Sequence, residues 1–176
     1  MRFGRSEGGF TLIELAIVLV IIGIILGAVM KAQDLVANAK AKKLASMIRA
    51  SEVYAWSYYD RHGEYLNGTT GLNNIKKYLR KRYGLKDDVL DLGDVKCGVS
   101  SVNSTDICWD CNGTGSNPDD AVIFYYKSVD VAIDGSINAT GGLVRCESGS
   151  QEDWSDCKNK NICLKYNTGD NETTYY

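Results

Sequence analysis

Glu14 is the most conspicuous reactive group in this sequence because of where it sits. From Phe10 to Met30 run 21 residues, and Glu14 is the only ionisable side chain among them. A carboxylate in hydrocarbon costs about 2.5–3.5 kcal/mol at the middle of a span and less near an end, so it calls for a partner. Cutting the chain between Gly9 and Phe10 would make one. The new α-amine on Phe10 would lie four residues from Glu14, on the same helix face, and would be largely protonated near neutral pH. It could neutralise Glu14 in its own chain or the Glu14 of a neighbouring copy.

Sulfur offers the second chemistry. Cys97, Cys108, Cys111, Cys146, Cys157 and Cys163 all lie beyond residue 96. Cys108-Trp109-Asp110-Cys111 is a C-x-x-C pair, which in a thioredoxin-like site would open a helix after a strand. Here Asn112-Gly113-Thr114-Gly115-Ser116-Asn117-Pro118 follows, which is loop chemistry. A zinc site could draw on Cys97, Cys108, Cys111 and one later cysteine. An even count confined to the polar half favours structural disulfides formed in an oxidising compartment. Six cysteines allow 15 pairings, and the sequence does not choose among them.

Other candidates are thinner. His62 is the only histidine and has no neighbouring ligand or acid in sequence. Lys76, Lys77, Arg80, Lys81 and Arg82 form a basic run that could meet DNA, acidic glycans or a second subunit, or simply face solvent. Asn117-Pro118-Asp119-Asp120 could hold calcium, but its spacing matches no known calcium loop and reads as a turn. Asn67, Asn103, Asn112, Asn138 and Asn171 each begin an Asn-x-Thr acceptor pattern for glycans. No Ser/His/Asp set, phosphate-cradling glycine loop or histidine-based metal site is visible, so neither an enzyme nor a cofactor is expected.

The elements that carry these groups follow from hydropathy. Residues 10–30 make about 31 Å of helix, close to the hydrocarbon thickness of a bilayer. Gly23 and Gly27 have the Gly-x-x-x-Gly spacing of close helix–helix approach, although glycine is common in membrane helices anyway. No breaker appears between Lys31 and Gly63, and Leu44, Met47, Ile48, Ser51, Tyr54, Ala55 and Tyr58 recur at spacings of three and four. One helix from Phe10 to about His62 is therefore expected, greasy all round at first and then along a single stripe. Tyr54, Trp56, Tyr58, Tyr59 and Tyr65 cluster at its end and read as core packing. A short helix should run from Thr70 or Gly71 to Tyr83, stopped by Gly84, with Leu72, Ile75, Leu79 and Tyr83 inward. Beyond Asp94 the period shortens. Val95–Val99, Leu143–Cys146 and Ile162–Tyr166 read as strands, and residues 121–134 as two strands or one bent strand. Short connections imply an antiparallel sheet laid on the amphipathic half of the long helix, an α+β fold.

Gly9-Phe10-Thr11-Leu12-Ile13-Glu14-Leu15, behind a short polar leader, resembles the processing site of type IV pilins and pilin-like proteins. The resemblance covers about the first third of the chain. Lys31 stands where many pilins have a proline, and Lys31-Ala32-Gln33-Asp34-Leu35 looks like a sub-group with a similar helix continuation. Tyr58 to Leu66 is similar to the aromatic end of the long helix in many such proteins. The resemblance implies a pilin-like fold, cleavage after Gly9, N-methylation of Phe10, and docking of each subunit into a filament through Glu14. It also implies partners: further copies of the chain in a helical filament, a prepilin peptidase and methyltransferase, the inner-membrane assembly machinery, and lipid before assembly. A bridge among Cys146, Cys157 and Cys163 would resemble the C-terminal disulfide loop of many pilins. Adhesion, motility and DNA uptake are the roles such filaments play; a minor pilin or a type II secretion pseudopilin uses the same N-terminal chemistry. A membrane-anchored thiol oxidoreductase and a DNA-binding module are the readings from other classes.

The expected organisation is a leader at 1–9, a hydrophobic helix at 10–30 and its amphipathic continuation at 31–62. A loop with a short helix follows at 63–94, then a disulfide-containing, β-rich head at 95–176. Formal charge is −2, and without the leader's Arg2, Arg5 and Glu7 it is −3, which argues against a general affinity for nucleic acid. Lys31, Lys40, Lys42, Lys43 and Arg49 follow the span, against the positive-inside rule. The cysteines outweigh this, because large domains translocate largely regardless of charge. The precursor is thus expected in the inner membrane with its C-terminal domain outside the cytoplasm, and the mature chain in a surface filament or a periplasmic pseudopilus.

Overall fold

The computed structural model describes residues 11–113, 118–147, 153–157 and 160–167. The chain divides into two compact units, 1–39 and 40–176. Helix α1 spans Leu12–His62. Its first stretch is uniformly apolar, and every large apolar side chain from Leu12 to Met30 is exposed, from 46% at Ile22 to 89% at Leu12. Within the second unit α1 has one buried stripe, including Ala41, Leu44, Met47, Ile48 and Ala55. The helix stops at Gly63, whose φ of 70° few other residues adopt and whose N–H donates to the Tyr59 carbonyl at 2.8 Å.

Helix α2 (Gly68–Tyr83) begins two or three residues before the expected start and ends where expected, with Gly84 left-handed and donating back to the Arg80 carbonyl. The strands are β1 (Val89–Asp91), β2 (Val95–Val102), β3 (Asp106–Gly113), β4 (Val144–Cys146) and β5 (Ile162–Lys165), with helix α3 (Pro118–Asp134) between β3 and β4. They form one sheet in the order β1-β2-β3-β5-β4, every pair antiparallel. The amphipathic part of α1 packs on this sheet, so the fold is α+β as the periodicity implied. Trp109, Trp154, Tyr125 and Tyr126 are the largest side chains buried in the core.

One expectation is overturned. Residues 121–134, read as strands, are the helix α3. Their β-branched and aromatic content suggested strands, but Val122, Tyr126, Val129 and Ile133 are buried at spacings of four, three and four, a helical stripe. The end signals agree. Pro118 suits a first helical position, and Asp119 and Asp120 lie in the positive first turn. Gly135 closes the helix at φ 76°, donating to the Val131 carbonyl. The turn expected at Asn117-Pro118-Asp119-Asp120 is, from Pro118 on, the start of this helix; Asn117 lies outside the described residues.

Strands β1 and β3 have no counterpart in the sequence reading. β3 contains the C-x-x-C pair in the middle of the sheet and runs on through Asn112 and Gly113, the first two residues of the stretch read as a loop; residues 114–117 lie outside the described residues. A three-residue turn joins β2 to β3, held by the Asn103 side-chain oxygen, which accepts from the backbone N–H of Thr105 and Asp106 at 2.8 and 2.6 Å.

Candidate functional site

At the start of α1, Glu14 is held by local chemistry. Its Oε2 accepts from the backbone N–H and the hydroxyl of Thr11, both at 2.8 Å, while the Glu14 N–H points back to Thr11 Oγ1 at 3.4 Å. This is a capping box, in which two backbone donors that a helix start leaves unpaired are satisfied reciprocally. Thr11 was legible as the first member of Thr-x-x-Glu ahead of an apolar run, a signal the reading of Glu14 as an isolated charge passed over. Gly9 and Phe10, the expected cleavage and methylation positions, lie outside the described residues. Glu14 therefore sits at one end of an uncovered apolar rod, engaged by its own helix terminus and exposed to whatever lies alongside.

The six cysteines form three disulfides: Cys97–Cys111, Cys108–Cys163 and Cys146–Cys157. Sheet register accounts for two of them. Cys97 faces Cys111 across β2 and β3, and Cys108 faces Cys163 across β3 and β5. The third ties β4 to the short 3-10 turn at Trp154–Cys157. Cys108 and Cys111 are thus bonded to different partners, because residues three apart on a strand point to opposite faces. The structural disulfides that the cysteine count favoured are thus present, the alternative of C-x-x-C as one redox pair is excluded, and none of the six sulfurs is left as a thiolate for zinc.

His62 stacks on Tyr58 with ring centroids 4.1 Å apart, and its Nδ1 donates to the Tyr58 carbonyl at 3.0 Å. The aromatic group packs edge to face and stacked, with Tyr54 on Tyr78 and Trp56 against Tyr59, Tyr65 and Tyr166. On α2, Arg80 is held by Asp88 through Nε at 2.8 Å and Nη2 at 2.6 Å. Lys77, Lys81 and Arg82 are exposed. Asp91 and Asp94 pair with Lys96 and Lys40. Asn67, Asn103, Asn112 and Asn138 are exposed. Asn171 lies outside the described residues.

Asp130 gave no signal in the sequence. It is fully buried on α3, where its Oδ2 accepts from the Asn138 backbone N–H at 2.6 Å and from Trp154 Nε1 at 3.0 Å. Burial pushes its pKa up from the usual aspartate value, against the pull of those two donors. Its Oδ1 has no hydrogen-bond partner among the described residues. The carboxyl joins α3 to the loop before β4 and to the turn inside the Cys146–Cys157 bridge.

Residues 4–30 match the family model described as the prokaryotic N-terminal methylation motif. No curated protein and no solved structure matches the chain. The matched segment contains Gly9, Phe10, Thr11 and Glu14 and most of the exposed apolar stretch of α1. The match shows a type IV prepilin-like motif at the start of the chain, and the helix it leads into is long and apolar enough to cross a membrane.

Proposed function

We propose that this chain is the subunit of a type IV pilus-like filament. It is inserted in the inner membrane, cleaved after Gly9 and methylated on Phe10 by a prepilin peptidase, then polymerised through α1 by the assembly machinery. The observation that carries the reading is the rod of α1 from Leu12 to Met30, apolar on every side, exposed along its length and bearing a single carboxylate at its start. Such a surface is stable only in lipid or against other apolar helices. Leaving lipid for a bundle of identical helices keeps it covered, provided Glu14 meets a positive charge there. The α-amine of Phe10 in an adjoining copy supplies one. The Thr11 box orients the carboxylate at the helix start, where that amine would arrive.

Mass spectrometry of the purified protein tests the first step. The expected mature chain begins at a methylated Phe10, and an intact leader would remove the reading. Electron microscopy of sheared surface filaments, followed by peptide identification, tests the second. Abundant filaments made of this chain support a main subunit with an adhesive, motility or DNA-uptake role. Trace amounts at filament tips, or a periplasmic location, would move it to a minor pilin or a secretion pseudopilin.

A further inference from the structure

We propose that the head carries two faces of opposite charge, one on α2 and one around the start of α3, and that the first docks on the second of a neighbouring copy. The inference rests on the filament reading, and both faces belong to the second unit. They lie on opposite flanks of α1. Its buried stripe includes Ala41, Leu44, Ile48 and Ala55. At about 100° per residue, Tyr54 falls to one side of that stripe and Arg49 to the other. Tyr54 stacks on Tyr78 of α2, with ring centroids 4.5 Å apart, whereas Arg49 Nη2 donates to the Ile133 carbonyl of α3 at 2.9 Å. The sheet agrees. α2 packs on β2, next to one edge, and α3 packs mainly on β3, on β4 at the other edge, and on the Trp154–Cys157 turn.

The two flanks differ in sign. α2 carries Lys76, Lys77, Arg80, Lys81 and Arg82 and no acid. Its buried residues are Gly71, Ile75 and Leu79, so Lys77 and Lys81, each two positions beyond a buried one, project outward and are exposed. Asp88 answers Arg80, while Lys77, Lys81 and Arg82 have no ion pair among the described residues. On the far flank Asp119 and Asp120 open α3, whose single cation, Lys127, is held by Asp153 at 3.7 Å. Asp120 lies two turns before Lys127 on the same side of α3, so it borders one surface with Asp153. Asp120, Asp153 and Asp156 are all exposed. Within one head the faces cannot meet, because α1 and the sheet lie between them. Between copies, α2 of one against the α3 face of the next is attractive, and like faces together are repulsive. Such a contact joins two different patches, and repeated without closing it builds a helical filament rather than a closed pair. Nucleic acid would use the basic face only and be repelled by the acidic one, whereas a second copy uses both.

Charge reversal in the full-length chain tests the contact. Lys77→Glu with Lys81→Glu should lower the yield of sheared filaments about tenfold or more, and so should Asp120→Lys with Asp156→Lys, since each sets like charges together. Asp156→Lys alone, which leaves the first turn of α3 intact, should lower it about threefold. Co-expressing the two double variants should restore the yield to within about threefold of wild type, with both chains in the same filaments, because the altered face of each now matches the other. That rescue also separates a lost contact from a damaged head, since two misfolded chains would not assemble together. Reversed chains that assemble like wild type, or a mixture no better than either chain alone, would overturn the inference. So would unchanged filament yield with loss of duplex DNA binding in the α2 variant, which would assign that face to nucleic acid. Failure of the underlying filament reading looks different: a wild-type chain lacking methylated Phe10, or building no filaments at all.

Discussion

Ile24 and Ile48 occupy the same helix and have opposite environments. Ile24 is 69% exposed and Ile48 is 1% exposed. Around Ile24 the helix is apolar on every side, whereas around Ile48 a single stripe is apolar and packs on the sheet. Two kinds of stability are written into one helix. The second unit completes its own core and needs no other molecule to do so. The first unit leaves its apolar surface uncovered, and the proposed filament would cover it. Changes in the first unit should therefore alter assembly without altering the fold of the head, and changes in the second should do the reverse.

The most severe break is Glu14→Ala. Filaments should be lost essentially completely, while the head keeps its melting temperature and Phe10 is still exposed by cleavage. Shearing yield, mass spectrometry and thermal denaturation measure the three properties. Normal filaments from this variant would remove the role given to the carboxylate. Loss of head stability would mean that the two units are energetically coupled.

Paired isoleucine truncations sharpen the contrast. Ile48→Ala should destabilise the head by about 2–5 kcal/mol, through lost transfer energy and the cavity left behind. Ile24→Ala should leave head stability within about 0.5 kcal/mol of wild type, as expected at a site without core packing. Chemical denaturation of both variants in detergent checks this directly. Equal losses would erase the distinction between the units.

Within the head, the disulfides permit a finer comparison. Cys108–Cys163 closes a separation of 55 residues and Cys146–Cys157 one of 11. Loop-closure entropy makes the longer bridge worth about 1.4 kcal/mol more at 25 °C. The double variant Cys108→Ser with Cys163→Ser should therefore melt at a lower temperature than Cys146→Ser with Cys157→Ser. The reverse order would point to packing around Trp154, beside Cys157, as the larger contribution of the shorter bridge.

How much of this was legible in the sequence divides along similar lines. The long helix, its stop at Gly63 and its inward stripe were readable, because an apolar run without breakers and a 3.6-residue period are strong signals. So were the end of α2 at Gly84 and the strands near Val95, Val144 and Ile162. Helix α3 was not. Ile123-Phe124-Tyr125-Tyr126 has strand-forming residues, and only the spacing of its buried members and the Pro118 and Gly135 boundaries identify a helix. Strand β3 was hidden for another reason. Asp110 and Asn112 point to solvent and Cys108 is buried through its bridge, so the run lacks a clean alternation. At the N-terminus, Glu14 was visible as a charge in a greasy segment, while its engagement by Thr11 depends on where the helix begins. Asp130 was hidden entirely, because its partners lie 8 and 24 residues away in sequence.

The smallest expected effect concerns that aspartate. Its folded pKa is raised by burial, so in the acid range the folded head holds a proton that the unfolded chain has released. The contribution to stability is present in full below the ordinary aspartate pKa and is lost as pH rises through the raised value. Asp130→Asn removes this dependence while keeping an oxygen for the Asn138 and Trp154 donors. Relative to wild type it should be equally stable or up to about 1 kcal/mol more stable at neutral pH, the scale of a buried charge removed with its hydrogen bonds retained. The advantage should shrink as the pH is lowered. Asp130→Ala separates charge from bonding, since it strands two buried donors and should cost about 1–3 kcal/mol at every pH. Parallel melting curves across the acid range read both variants. If Asp130→Asn fell with pH as steeply as wild type, the ionisation of Asp130 would not be what couples the packing of α3 against the Trp154 turn to pH. Filament yield should be indifferent to either change wherever the head remains folded, because Asp130 is buried inside the second unit and touches none of the surface assigned to assembly.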